Sequence, residues 1–446
     1  MGEDLIQQLK GKRLLLVGFT LFSMFFGAGN LIFPPFLGAQ AGTSTWAAMA
    51  GFSLSAIGFP ILGVIAVARS GGLSRLAGRV HPLFAAVFTM LIYLSIGPCL
   101  AIPRTASTSF EIAVSPFLSA GGPAGLLQAG YSVLFFGAAL CLALNPEKLT
   151  DRLGKILCPA LLVLILVIFL GCAVRPVGGY GPVTGGYAAN PAVRGFLDGY
   201  QTMDTIAALN FGIVIALNIR AGGVTDERAV VRGTIRAGWL AGGVLLAVYA
   251  MLAHIGALSG SAFPGSENGA GALTRIVSAL FGAPGSILLA AVFVIACFNT
   301  CVGLISCCSE YFHECFPRVS YRAWALFFAL VSAAISNLGL NQILTVSVPV
   351  LGALYPVAIL LILLSFLHRW IAPLREIYPV SVLLTAAASV LYALADAHLP
   401  IPLLSPLMER VPLAGLGLGW VPFAAVGILL GALLSLARRT GPEPNA

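Results

Sequence analysis

The chain has 446 residues, of which 59% are hydrophobic and only 9% charged, with a formal net charge of +8. Soluble domains carry about 25% charged residues, so this composition excludes a water-soluble enzyme or regulatory domain and makes lipid the solvent for most of the surface. The basic excess does not point to nucleic acid, because its placement along the chain follows membrane topology.

No Asp, Glu, Lys or Arg occurs from Leu14 to Ala68, from Val80 to Pro103, from Ile276 to Ser309, or from Ala323 to His368. Crossing a bilayer takes roughly 20 apolar residues, so the first and last of these runs each predict two helices. Twelve spans are expected, near 13–38, 43–68, 81–103, 123–145, 154–174, 198–219, 233–258, 284–309, 321–337, 341–367, 377–395 and 414–437. With the N-terminus inside, 19 of the 24 basic residues fall in cytoplasmic segments. Only Arg104, Arg175, Arg194, Arg275 and Arg410 fall outside. That asymmetry predicts cytoplasmic termini. The apolar run after Arg13 is far longer than a signal-peptide core, so no cleaved leader is expected. The longest connections, near 104–122, 175–197, 259–283 and 396–413, all lie on the predicted outside, and none is long enough for a domain. A GxxxxGK[ST] loop is absent, so ATP-driven transport by this chain alone is not expected.

The first span contains Phe26-Gly27-Ala28-Gly29-Asn30, followed by Pro34-Pro35. Gly costs about 1 kcal/mol and Pro about 3 inside a helix, so this span is predicted to break at 27–30. A backbone break facing lipid would strand N–H and C=O groups; it must therefore lie inside the bundle. Close packing by small residues would explain the glycines but not Asn30 or the proline pair. A broken helix offers free N–H groups to a carboxylate and free carbonyls to a cation.

In the sixth span, Ala207-Ala208-Leu209-Asn210-Phe211-Gly212 predicts a second interruption just after Asp204. Interrupted helices at matching positions of two halves point to a transporter site between inverted repeats. The expected repeats are about 13–174 and 198–367, with helices eleven and twelve at about 377–437. Asp204 is the one acid placed well inside a span. Either it is a helix N-terminal acid solvated by an outer vestibule, or it serves a substrate amino group or coupling cation. In span eight, Asn299 and Thr300 offer two oxygens suited to a small hard cation, although lone Ser and Thr residues usually bond the i−4 carbonyl. The nine cysteines lack zinc-ligand spacing and are expected to be free thiols. His254, Glu310, His313 and Glu314 fall at span ends and are expected to be interfacial. No catalytic residue is assigned.

These residues resemble the bacterial branched-chain amino acid:cation symporter family. Phe26 to Pro35 is very close to that family's signature. Asn145-Pro146-Glu147-Lys148-Leu149-Thr150-Asp151-Arg152-Leu153-Gly154-Lys155 is also similar, as are Thr202-Met203-Asp204 through Phe211-Gly212 and Thr300 with Gly303-Leu304 and Glu310-Tyr311-Phe312. The resemblance covers essentially the whole chain. It implies an all-α, five-plus-five inverted-repeat fold of the LeuT type with broken helices one and six, plus two C-terminal helices. It further implies that the N–H groups of Ala28 and Gly29 receive the substrate carboxylate. The carbonyls of Ser23 and Phe26, with Asn299 and Thr300, would form a sodium site. Asn30 would lie beside the site, and Thr205, Ala208 and Asn210 would face the substrate from span six; Gly27 and Asp204 are counted with the substrate site on the reading of the residues above. The chain departs from the pattern in having Asn299 where Thr is expected and Asn210 where an apolar residue is expected.

The expected function is sodium-coupled import of leucine, isoleucine and valine across a bacterial inner membrane. Sodium is the coupling ion, no other cofactor is implied, and no protein partner is called for. A proton-coupled carrier of another apolar amino acid, using Asp204, is the alternative. A membrane enzyme would need several titratable groups at one depth, and a sensor would bring an output domain.

Overall fold

The computed structural model describes residues 11–118, 123–144, 158–175, 178–263, 265, 269–399 and 405–440. The connection at 145–155 that carries part of the family resemblance lies outside these residues. Among the described residues every regular element is helical.

The first pass is split into α1 (Gly11–Phe25) and α2 (Ala28–Ala41), with Phe26 and Gly27 between them. The second pass is α3 (Thr45–Ser53) and α4 (Phe59–Ser70), joined by a π turn at Leu54–Gly58 and followed by the short α5 (Leu73–Gly78). The third pass is α6 (Pro82–Leu94) and α7 (Ala101–Ala113) around a π turn at Ser95–Cys99. Pro98 sits in that turn; it has no N–H to give and its ring crowds the preceding turn, so an ordinary helix cannot run through it. Then come α8 (Ala124–Ala143) and α9 (Cys158–Val174). The second half opens with α10 (Pro191–Asp198) and α11 (Asp204–Ala221), and α12 (Glu227–Ala262) follows. Next is α13 (Gly269–Cys315), bent at Gly282 where φ is 61°. The chain continues with α14 (Tyr321–Ser336), α15 (Leu340–Ile371), α16 (Ile377–Asp396), α17 (Ser405–Glu409) and α18 (Trp420–Thr440).

Nine helical stretches among the described residues are long and apolar enough to cross a membrane, one of them running from Ala28 through the whole second pass. With the shorter apolar helices α9 and α14 and the split first pass, this gives the expected twelve crossings. An even number puts both termini on one face, the terminal face; the opposite one is the distal face.

The break in the first pass falls where expected. The sixth does not. Asn210 and Gly212 lie within the unbroken α11, and the interruption is earlier, in a 3-10 turn at Gly199–Thr202 ending at Met203. Met203 has φ 65° and ψ 7°, a left-handed conformation unusual for a side chain of this size. Such strain costs of order 1–3 kcal/mol and persists only where surrounding structure enforces it, commonly at functional sites. The reason for the displacement is that Asn and Gly weaken a helix by at most about 1 kcal/mol each, which packing of α11 against α4 overrides. Consequently α10, expected as an external loop, is the distal half of the sixth pass and packs against α3. A Cβ on Gly51 would stand 1.7 Å from the Ala192 carbonyl oxygen, and one on Gly195 would stand 2.0 Å from that of Ala48. The two helices can approach this closely only with glycine at both positions.

The split first pass lies at the centre of the bundle. α2 packs on α12 and α13, and α1 packs on α12, α11 and α13. Both breaks are therefore surrounded by protein, which is what an unsatisfied backbone in a membrane requires.

Candidate functional site

At the first break the chain leaves α1 at Phe25 and starts α2 at Ala28, with Gly27 extended (φ −123°, ψ −154°). An unbroken helix would donate the Gly27 N–H to the Ser23 carbonyl. Here it goes instead to Asn30 Oδ1 at 3.1 Å. The Asn30 side chain thus caps the start of α2 and holds the break open. The first N–H groups of α2 and the last carbonyls of α1 face a common space, as the ends of any two helices leave such groups without intrahelical partners.

Asn30 also ties this break to the sixth pass. Its Nδ2 donates to Asp204 Oδ2 at 2.6 Å and to the Tyr249 hydroxyl on α12, and that hydroxyl donates to the same Asp204 oxygen at 2.9 Å. Asp204 is 1% exposed. It begins α11, where the helix dipole favours a carboxylate, so the vestibule-solvated alternative for this acid is set aside. Three passes meet at one oxygen.

A cavity of about 20 Å³ lies between the two breaks, lined by Ala28, Gly29, Asn30, Asp204, Arg104 and Thr300 among others. That is room for a water molecule, and the site is closed around it. Gly27 also lines it. From α11 the lining residues are Asp204, Ala207 and Phe211, one face of the helix, with Met203 before them. Thr205, Ala208 and Asn210 do not line it. The Thr205 hydroxyl donates to the Ser55 carbonyl at 2.9 Å, and Ala208 packs where a Cβ on Gly63 would reach it at 3.2 Å, both toward the second pass. Asn210 is buried with neither side-chain atom hydrogen-bonded. These three residues lie on faces of α11 other than the one that lines the cavity.

On the opposite wall, α13 brings Asn299 and Thr300 against the end of α1. Asn299 Nδ2 donates to Ser23 Oγ at 2.8 Å, and Thr300 Oγ1 donates to the Met24 carbonyl at 3.3 Å. A Cβ on Gly27 would stand 2.6 Å from Thr300 Oγ1. Asn299 Oδ1 is buried without a partner. Four residues expected together are close in space, although the carbonyl that Thr300 reaches is that of Met24 rather than Ser23 or Phe26.

Arg104 is the residue that sequence reasoning missed. Expected in an external loop, it lies inside α7, 3% exposed, and lines the cavity between the breaks. Its Nη1 donates to the Gln201 carbonyl at 2.7 Å. The signal was the stretch after it, Thr105-Ala106-Ser107-Thr108-Ser109, small residues that continue a packed helix rather than a loop. Tyr249 was missed as well, a single phenol in an apolar span with no spacing cue.

On the distal side a larger cavity of about 340 Å³ is lined by Phe33, Tyr200, Gln201, Tyr392, Asp396 and others. The turn at 199–203 separates it from the small one: Tyr200 and Gln201 line the larger cavity, Thr202 and Met203 the smaller. Tyr200 stacks on Tyr355 of α15 with ring centroids 4.3 Å apart at 21°. Elsewhere, all nine cysteines are free, and His254 Nδ1 shares a 2.8 Å hydrogen bond with the Tyr180 hydroxyl.

The chain is similar in fold to a solved nucleobase-cation-symport-1 family transporter, Mhp1, in a closed conformation (TM-score 0.60, 12% identity, covering 96% of this chain and 93% of that one). It is also similar to MhsT in complex with L-phenylalanine (TM-score 0.55, 13% identity, 96% and 99%). At such identities the likeness establishes the five-plus-five fold with broken helices one and six, and nothing about cargo. Sequence relatives are closer. The branched-chain amino acid permease BraB of Bacillus subtilis is 41% identical, over 95% of this chain and 96% of that protein. The branched-chain amino acid transport system 2 carrier protein of Pseudomonas aeruginosa is 42% identical, over 95% and 96%. The branched-chain amino acid permease BrnQ of Escherichia coli K12 is 36% identical, over 95% and 95%. Residues 10–438 match the family described as branched-chain amino acid transport protein. Twelve passes, two breaks facing one buried cavity, and relatives matched end to end make this chain a multi-pass transporter that belongs to the branched-chain amino acid transport protein family.

Proposed function

We propose that the protein imports leucine, isoleucine and valine across a bacterial inner membrane by sodium symport, through alternating access at the cavity between the two breaks. The observation that carries the sodium assignment is Asn299 Oδ1. It is a buried acceptor without a partner, on a helix held against the C-terminal end of α1, where the dipole favours a cation. With Thr300 Oγ1, Ser23 Oγ and the last carbonyls of α1, a hard ion would find a set of oxygens. The repeats would run at about 13–174 and 198–367, with the terminal face in the cytoplasm. One sodium ion entering at about −100 mV supplies roughly 2.3 kcal/mol, which is about fifty-fold accumulation of a zwitterion.

Uptake of labelled leucine into proteoliposomes under an imposed sodium or proton gradient tests the coupling. Thr300→Val removes one oxygen while nearly keeping shape. It is expected to raise the sodium concentration for half-maximal uptake by roughly tenfold, the value of one good ligand, with little change in leucine affinity at saturating sodium. The alternative, proton coupling at Asp204, has the burial of that acid in its favour. Uptake that follows pH, ignores sodium in Thr300→Val and vanishes in Asp204→Asn would decide for protons.

Orientation has its own test. Reporter fusions after α4 and after α18 are both expected to be cytoplasmic, because the arginines at the terminal face outnumber those at the distal face. A periplasmic signal from either fusion would reverse the assignment.

A further inference from the structure

Arg104 is a buried cation that makes no ion pair among the described residues; Asp204, an acid lining the same cavity, shares the space with it without forming one. Arg104 is 3% exposed and its Nε has no hydrogen-bond partner. Its one hydrogen bond goes to a neutral carbonyl, that of Gln201, and its Cζ lies 5.9 Å from the Phe33 ring centroid, near the limit for a cation–π contact. A charge held in protein at membrane depth needs a partner or it is strongly unfavourable. Its position makes the imbalance larger. A Cβ on Gly29 would stand 2.8 Å from Arg104 Nη2, so the guanidinium lies directly over the first turn of α2. That turn is the positive end of a helix dipole. A cation facing a helix N-terminus is repelled unless something negative lies between them.

We infer that Arg104 is held unpaired to receive the α-carboxylate of the transported amino acid, jointly with the free N–H groups of Ala28 and Gly29. The inference rests on the transport reading above and deepens it, because it names the group that restricts cargo to carboxylate-bearing molecules. The planar fork of arginine suits a carboxylate better than lysine would. Across the cavity, Asp204 offers the opposite charge at the start of α11. Ala207 and Phe211 supply the apolar wall. Once the closed cavity, which holds no more than a water molecule here, opens to admit cargo, a zwitterion with a short apolar side chain would find both of its charges opposed. The link from Arg104 to the Gln201 carbonyl also joins carboxylate binding to the turn between the two cavities, so cargo and the distal closure share one side chain.

A purely structural role, tethering Gln201, would treat every ligand alike, and this separates the two explanations. The experiment measures the affinity of purified protein in sodium for leucine and for leucinamide by ligand-dependent thermal stabilisation. Leucinamide keeps the ammonium and side chain but carries no negative charge. Wild-type protein is expected to bind leucine on the order of ten- to a hundredfold more tightly than leucinamide, the range for a hydrogen-bonded charge. In Arg104→Gln the leucine affinity should fall by about that factor while leucinamide stays within roughly threefold, so the ratio collapses. Arg104→Lys, which keeps the charge but loses the fork, should narrow the ratio by about threefold or more and carries the test if the Gln variant does not fold. An unchanged ratio in either folded variant, or wild-type protein that binds both ligands equally, would overturn the assignment. Wild-type protein stabilised by none of leucine, isoleucine or valine would instead overturn the transport reading beneath it.

Discussion

Gly29→Leu is expected to abolish leucine uptake while the protein still inserts and folds around its other passes. A Cβ at position 29 would meet Arg104 Nη2 at 2.8 Å, the Thr202 Cα at 3.1 Å and the Gln201 carbonyl oxygen at 3.2 Å. Arginine can move aside; the backbone of the turn at 199–203 has less freedom, because it is pinned between α2, α3 and α15. Even Gly29→Ala overpacks this point. Overpacking a well-filled site costs about 1–3 kcal/mol, which corresponds to a loss of roughly 5- to 150-fold in whichever state needs the approach. Leucine adds a branched chain that fills the cavity itself. The measurement is initial uptake of labelled leucine, normalised to inserted protein. Uptake near the wild-type rate in correctly inserted Gly29→Leu would reduce the glycines to ordinary helix packing.

Asp204 gives the second large effect, and here two substitutions must be compared. Asp204 Oδ2 accepts from both Asn30 Nδ2 and the Tyr249 hydroxyl. Asp204→Leu leaves two buried donors unpaired at about 1–3 kcal/mol each, so the protein in detergent is expected to melt several degrees lower and to lose uptake. Asp204→Asn keeps an oxygen that can accept both hydrogen bonds and nearly keeps volume. Its stability should fall little, yet uptake should drop by roughly ten- to a hundredfold if the negative charge is needed for an ammonium group or coupling ion. The split between melting and uptake is the informative quantity. Full transport in Asp204→Asn would make the residue a structural tie between passes one, six and seven.

The sequence by itself determined the solvent and the number of crossings. Charge-free runs such as Leu14 to Ala68 leave no alternative to lipid, and the penalty for burying charge applies to every residue of the run independently of what packs on it. The break at Gly27 was equally legible. Two glycines and an asparagine within four residues mark the place, and Asn30 is the residue that caps the result, whereas Pro34 and Pro35 are carried inside α2. Tertiary structure decided the rest. Asn210 and Gly212 weaken α11 by too little to break it against its packing on α4, while Met203 is forced left-handed by neighbours that no local pattern records. On the unbroken α11, Ala207 and Phe211 line the cavity, while Thr205, Ala208 and Asn210 do not. Arg104 shows the limit most plainly. A charge at the end of an apolar run is read as the end of a span, because local composition prices it against lipid. Only the fold reveals that its surroundings are a helix N-terminus, a carbonyl and a cavity between two broken helices that it shares with Asp204.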